Sequence, residues 1–142
     1  MEATGKCLCG AVTFTASNIN PEMHACHCAM CRRWTGGPNL SLQTGRVTFN
    51  SGADLIKRYS SSEWAERGFC GECGSNLFYR MKGQDDYIMT LGSFDDSAGF
   101  HLHGEIYIDS KPSCYAFAGD HSRMTEAEFM ASMGIELPPG NA

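Results

Sequence analysis

No stretch of this chain approaches the roughly 18 consecutive apolar residues that a membrane-crossing helix needs. The start, MEATGKCLCG, also lacks the apolar core of a secretion signal, so nothing in the sequence supports export. Positive charge is scarce: eleven Lys and Arg stand against sixteen Asp and Glu, a net charge of −5. That balance argues against bulk attraction to nucleic acid or anionic membrane, while leaving room for a local basic patch. Internal repeats, low-complexity segments and linkers are absent as well. The sequence therefore reads as a single domain over residues 1–142, with a modest core and a partly frayed tail over 130–142.

What the chain has in abundance is cysteine. Seven of its eight cysteines fall into three tight clusters: Cys7 and Cys9, then Cys26, Cys28 and Cys31, then Cys70 and Cys73. An odd triplet, two of them separated by one residue, is awkward to pair as disulfides. Metal is therefore the better reading, and with it a reducing, cytoplasmic compartment. Four cysteines make two chelating pairs and three make a tripod. This suggests one closed metal site, structural in character, and one with a coordination position left open for substrate.

Both CLCG and CGECG end in glycine, as a zinc knuckle needs where the chain must turn with positive φ. A zinc shared by Cys7, Cys9, Cys70 and Cys73 would pin the N-terminal strand to the middle of the chain and contribute folding free energy directly. Redox catalysis by Cys70 and Cys73 is disfavoured, because no thioredoxin-like βαβ pattern surrounds them. In CHCAMC, three thiolates on a divalent zinc would leave about one negative charge, which Arg32 and Arg33 can offset. A thiolate-rich zinc is a soft Lewis acid suited to binding another sulfur. The alternative is a second closed site with Cys114, His24 or His27 as fourth ligand.

Short alternating segments predict a mainly β fold of antiparallel strands. They are 11–16, 46–49, 55–59, 64–69, 76–81, 87–91 and 105–108, with 82–86 as a hairpin loop. The metal knuckle through CAMCRRWTG is expected to run into a short helix. A second helix is expected over 125–133, with TEAE as a capping box, Gly134 as its stop, and Phe129, Met130 and Met133 as a docking face.

The motifs GKCLCGAVTF, HACHCAMCRRWTG, IKRYSSSE, RGFCGECGSNLFYR and LGSFDD, in this order, closely resemble the glutathione-dependent formaldehyde-activating family, which also includes centromere protein V. The resemblance implies a β-tent fold with a zinc ribbon. It also implies two zinc ions: a structural one on Cys7, Cys9, Cys70 and Cys73, and a catalytic-type one on Cys26, Cys28 and Cys31. The implied chemistry is that of a carbon–sulfur lyase, joining glutathione and formaldehyde into S-hydroxymethylglutathione. Arg32 and Arg33 are the candidates to hold the carboxylates of such a thiol substrate, ahead of Lys57, Arg58 and Arg67. The chain departs from its relatives at Glu105, where histidine is common, at Cys114, where tryptophan is common, and at Ser97, where proline is common. Asp95, Asp96, His101 and His103 read first as turn and loop residues, and Trp34 and Trp64 as core. A different class of function stays open, a non-catalytic zinc module binding protein or nucleic acid; the missing Lys/Arg tail weighs against nucleic acid.

Overall fold

A computed structural model of the chain describes residues 1–135. Among them the architecture is mainly β, as the alternation predicts, with eleven strands and two short α-helices. The chain packs as two compact units, Met1–Met23 with Ser41–His101, and His24–Leu40 with the chain from Leu102 onward.

In the first unit, β1 (Ala3–Lys6), β2 (Thr13–Ala16) and β5 (Val47–Ser51) form a three-stranded antiparallel sheet in that order. A second antiparallel ladder joins Ser41–Thr44 of β4 (Asn39–Thr44) to β9 (Tyr87–Thr90). It continues through β8 (Asn76–Met81) and β7 (Ala65–Cys70) to β6 (Ile56–Ser60). Val12, Phe14, Ala16, Leu42, Leu77, Phe78 and Met89 are fully buried here. The rings of Phe14 and Phe94 meet edge to face at 5.5 Å, and those of Phe78 and Tyr87 at 4.9 Å. The expected hairpin over 82–86 connects β8 and β9. Trp64, expected in the core, is instead 61% exposed.

The second unit holds His24–Cys26 of β3 (Glu22–Cys26), helix α1 (Ala29–Thr35) and most of β10 (His101–Ile106). β11 (Ser122–Arg123) and helix α2 (Glu126–Ser132) complete it. Cys28 caps α1, its sulfur accepting from the Cys31 N–H at 3.3 Å, so the knuckle does run into a helix. Thr125 and Glu128 form both halves of the capping box of α2, which starts and stops within a residue of its expected bounds. Phe129 and Met130 are half-buried, whereas Met133 is exposed. Residues 136–142 of the expected frayed tail lie outside the described residues, and 130–132 are helical.

The strand expected over 105–108 is corrected. β10 begins at His101, which moves His101 and His103 from a loop onto a strand, and it ends at Ile106. Tyr107 stops it by adopting the left-handed conformation, φ 57°, uncommon for a residue with a side chain, and Ile108–Ser110 form a 3-10 turn. β11 runs parallel to β10 and sets Arg123 opposite Glu105.

Candidate functional site

The four cysteines of the two pairs converge in the first unit. Cys7 and Cys9 lie in the turn between β1 and β2, Cys70 ends β7, and Cys73 lies in the turn before β8. Their sulfurs all lie within 4.8 Å of one another, with Cys7–Cys9 at 3.6 Å and Cys9–Cys70 at 3.9 Å. A tetrahedral zinc with bonds of about 2.3 Å separates its sulfurs by about 3.8 Å, so the cluster is compatible with such an ion. The turns are built for this. Gly10 and Gly74, each following the second cysteine of its pair, have φ of 79° and 78°, as the sequence predicts.

Ordered donors surround these sulfurs. The Val12 N–H donates to the Cys7 sulfur at 3.3 Å, and the Ser75 hydroxyl lies 3.2 Å from that of Cys73. The Cys73 thiol is brought down to about 5, first by Ser75 and then by backbone N–H groups. Burial pushes Cys7 up, but the Val12 N–H and the neighbouring thiols outweigh it and hold it below its ordinary value. The Ala11 N–H favours a thiolate at Cys9, yet the competing thiols, Cys7 foremost, drive it up to about 12. Thiols so crowded share protons, and a divalent cation is the natural replacement for them.

Cys26, Cys28 and Cys31 converge in the second unit, again within 4.8 Å of one another. Cys26 ends β3, Cys28 caps α1, and Cys31 lies one turn into the helix. The spacing from Cys28 to Cys31 thus uses the helical turn to bring the thiols together. Thiols of Cys26 and Cys31, then the backbone N–H groups of Cys31 and Met30, lower Cys28 to about 2. Cys26 is pushed up as the corresponding donor, by Cys28 first, then by Cys31 and burial. Among the described residues, no histidine, carboxylate or further cysteine joins this cluster. Either cluster can hold a metal ion.

The sequence-based alternatives for a fourth ligand find other settings. The His24 ring lies 5.5 Å from that of His103, and Cys114 is exposed. His27 is fully buried with both ring nitrogens engaged, Nε2 with Glu105 Oε1 at 2.7 Å and Nδ1 with the Tyr115 hydroxyl at 2.8 Å. Glu105, also buried, accepts two more hydrogen bonds on Oε2, from His121 Nε2 at 2.6 Å and Arg123 Nε at 2.9 Å. Burial alone would raise the Glu105 carboxyl. The hydrogen bonds from His121 and His27, with the charge of Arg123, outweigh burial and hold it below the usual carboxylate range. His27 Nε2 faces the Glu105 carboxylate and Nδ1 faces the Tyr115 hydroxyl, whose pKa burial pushes up. Sequence reasoning missed this network. The available signal was an acid inside an alternating apolar strand segment.

Arg32 is half-buried and its Nε donates to the His27 carbonyl at 2.9 Å, whereas Arg33 is exposed in the last turn of α1. Arg67 is buried with its guanidinium over the Tyr79 ring, and Arg58 pairs with Glu66 at 2.7 Å; Lys57 is exposed. Asp96 accepts from the Ala98 N–H, the turn role expected of it, whereas Asp95 accepts from the hydroxyl of the distant Thr4.

The profile of the family described as glutathione-dependent formaldehyde-activating enzyme matches residues 2–110. An uncharacterized lyase of Schizosaccharomyces pombe is 32% identical over 133 residues, 93% of this chain and 97% of the relative. The crystal structure of a Rhodobacter sphaeroides protein, 22% identical, shares the fold with a TM-score of 0.56 over 65% of this chain and 87% of that one. No helix among the described residues is long and apolar enough to cross a membrane. By matched length and by identity along nearly its whole extent, the chain belongs to the glutathione-dependent formaldehyde-activating enzyme family.

Proposed function

We propose that Cys26, Cys28 and Cys31 hold a zinc ion with one position open to substrate. In this reading Cys7, Cys9, Cys70 and Cys73 hold a structural zinc. The protein is then a carbon–sulfur lyase or synthase acting on the glutathione adduct of a small aldehyde, formaldehyde foremost. The observation that carries this reading is the difference in ligand number. Four thiols converge in one cluster and three in the other, with no fourth donor of the usual kinds among the described residues. Bound there, zinc supplies a soft Lewis acid that lowers the pKa of an incoming thiol.

The chain's own groups supply charge balance and orientation. Three thiolates leave the centre negative, and Arg32 and Arg33 follow directly on the third. Arg32 is anchored through Nε on the His27 carbonyl beside the cluster, which makes it the first candidate to meet a substrate carboxylate. Glutathione has two carboxylates, and Arg33 is the second candidate to meet one. In the forming direction the thiol gives up its proton and its sulfur lone pair makes the C–S bond to the aldehyde carbon. The carbonyl π pair takes up a proton, and nothing is oxidised or reduced. Holding the two reactants in register converts a bimolecular encounter into an intramolecular step. The word lyase in the name of the S. pombe relative supports the reaction class. The eight free cysteines support a reducing compartment such as the cytoplasm.

The test is the rate of glutathione–formaldehyde interconversion, read by carbon-13 exchange NMR with zinc-loaded protein and a Cys28→Ser control. Acceleration present in the wild type and lost in the control is expected. A wild-type rate equal to background, with zinc confirmed bound, refutes the reading and favours a non-catalytic zinc module.

A further inference from the structure

His27 stands between two of the three thiols in sequence, and every polar group it has is engaged. Its N–H donates to the Ile106 carbonyl at 3.2 Å and its carbonyl accepts from Arg32 Nε at 2.9 Å. Its ring is held at Nδ1 by Tyr115 and at Nε2 by Glu105. A residue fixed at four points cannot shift without breaking one of them, so the directions of its neighbours Cys26 and Cys28 are set with it. The hold on the ring comes from Glu105, whose 1% exposure would normally disfavour a carboxylate. Three N–H donors converge on its two oxygens, and Arg123 also ties the segment carrying Tyr115 through the carbonyls of Phe117 and Gly119. An apolar side chain would fill this volume without the desolvation cost, so packing alone does not explain an acid there.

We propose that Glu105 is the positioning residue of the three-thiol site: it fixes His27, and through the His27 main chain it fixes Cys26, Cys28 and Arg32. This inference rests on reading the three thiols as a metal site. Glu105 is not one of the three clustered ligand candidates. It acts as groups behind a ligand do elsewhere, here through a residue that lies between two ligands rather than through a ligand itself.

The experiment titrates the zinc-loaded protein with a chromophoric chelator and records the visible spectrum of the cobalt-substituted protein. Glu105→Gln keeps the volume but presents an amide nitrogen where three donors expect acceptors. One of two metal equivalents is expected to loosen by about tenfold or more, with the other at wild-type affinity, and its cobalt bands are expected to shift. Wild-type affinity and spectra at both sites overturn the proposal. So does equal loosening of both, which is what a general loss of stability produces. If the Gln variant does not fold, Tyr115→Phe removes only the outer hydroxyl, and a selective loss of about fivefold is expected, the factor for one net hydrogen bond. No selective loss there overturns the proposal. A wild-type protein that takes up a single equivalent refutes the metal reading of the three thiols instead, which keeps the two failures distinct.

Discussion

Cys28 has two jobs, and substitution separates them. Its sulfur belongs to the three-thiol cluster, and it also accepts the Cys31 N–H at 3.3 Å as the N-cap of α1. Serine is a good N-cap and a poor zinc ligand, whereas alanine is neither. Loss of a polar N-cap costs about 1 kcal/mol, so in the metal-free protein Cys28→Ala should be less stable than Cys28→Ser by about that amount. For a chain of this size the difference is about 3 °C in Tm. Metal binding behaves differently. Dividing the roughly 10–16 kcal/mol of a four-ligand zinc site evenly gives about 3 kcal/mol per thiolate, more than a hundredfold in affinity. Both variants should therefore lose one of two zinc equivalents and keep the other. The assay is zinc stoichiometry after dialysis, followed by thermal melts with and without chelator. Two retained equivalents in Cys28→Ser refute the assignment of this sulfur as a ligand. Equal melting of the two metal-free variants refutes its capping role.

Two further outcomes follow from the same geometry. Glu105 has its folded-state carboxyl value depressed, so its contribution to stability is present above the ordinary carboxylate value near 4.3 and is lost as pH falls through the lower folded value. Urea midpoints measured from pH 7 downward should fall less steeply below about pH 4 in Glu105→Gln than in the wild type, and parallel curves would contradict the depressed value. Gly74 has φ of 78° with no atom within 4 Å of a Cβ built on it, so Gly74→Ala adds only backbone strain. The expected loss is about 1–2 kcal/mol with zinc retained at the four-thiol cluster, checked by melting and metal analysis. A larger loss would mean that the turn is packed.

Much of the candidate site is visible in the sequence because its logic is local. Three thiols within six residues can meet only if the chain turns, and a helical turn after Cys28 is the simplest way to do so. The glycines after Cys9 and Cys73 carry the positive φ that their position in a knuckle demands. NLFYRM is the observed β8 residue for residue, and TEAE caps the helix that follows it. Alternation and capping act over a few residues, so they can be read without knowing what lies across from them. β1 escaped because ATGK carries no large apolar residue; EMHAC and NLSLQT do alternate, but over few residues, and in NLSLQT the polar Asn39 and Ser41 are buried along with Leu42.

The Glu105 network belongs to the other category. Glu105 and His27 are 78 residues apart, and Tyr115 is 88 from His27. The acid in EIYI stands out locally only as a polar residue in an apolar segment; which groups meet it is not local, nor is Tyr107 marked as the residue that ends the strand in the left-handed conformation. A buried carboxylate is stable only where donors from distant segments converge on it, and that convergence exists only once the strands have paired. Candidate ligands follow from residue type and short spacing, which any conformation of the segment retains. Whether those ligands are held in one geometry depends on contacts between segments far apart in the chain, and the folded packing alone supplies them.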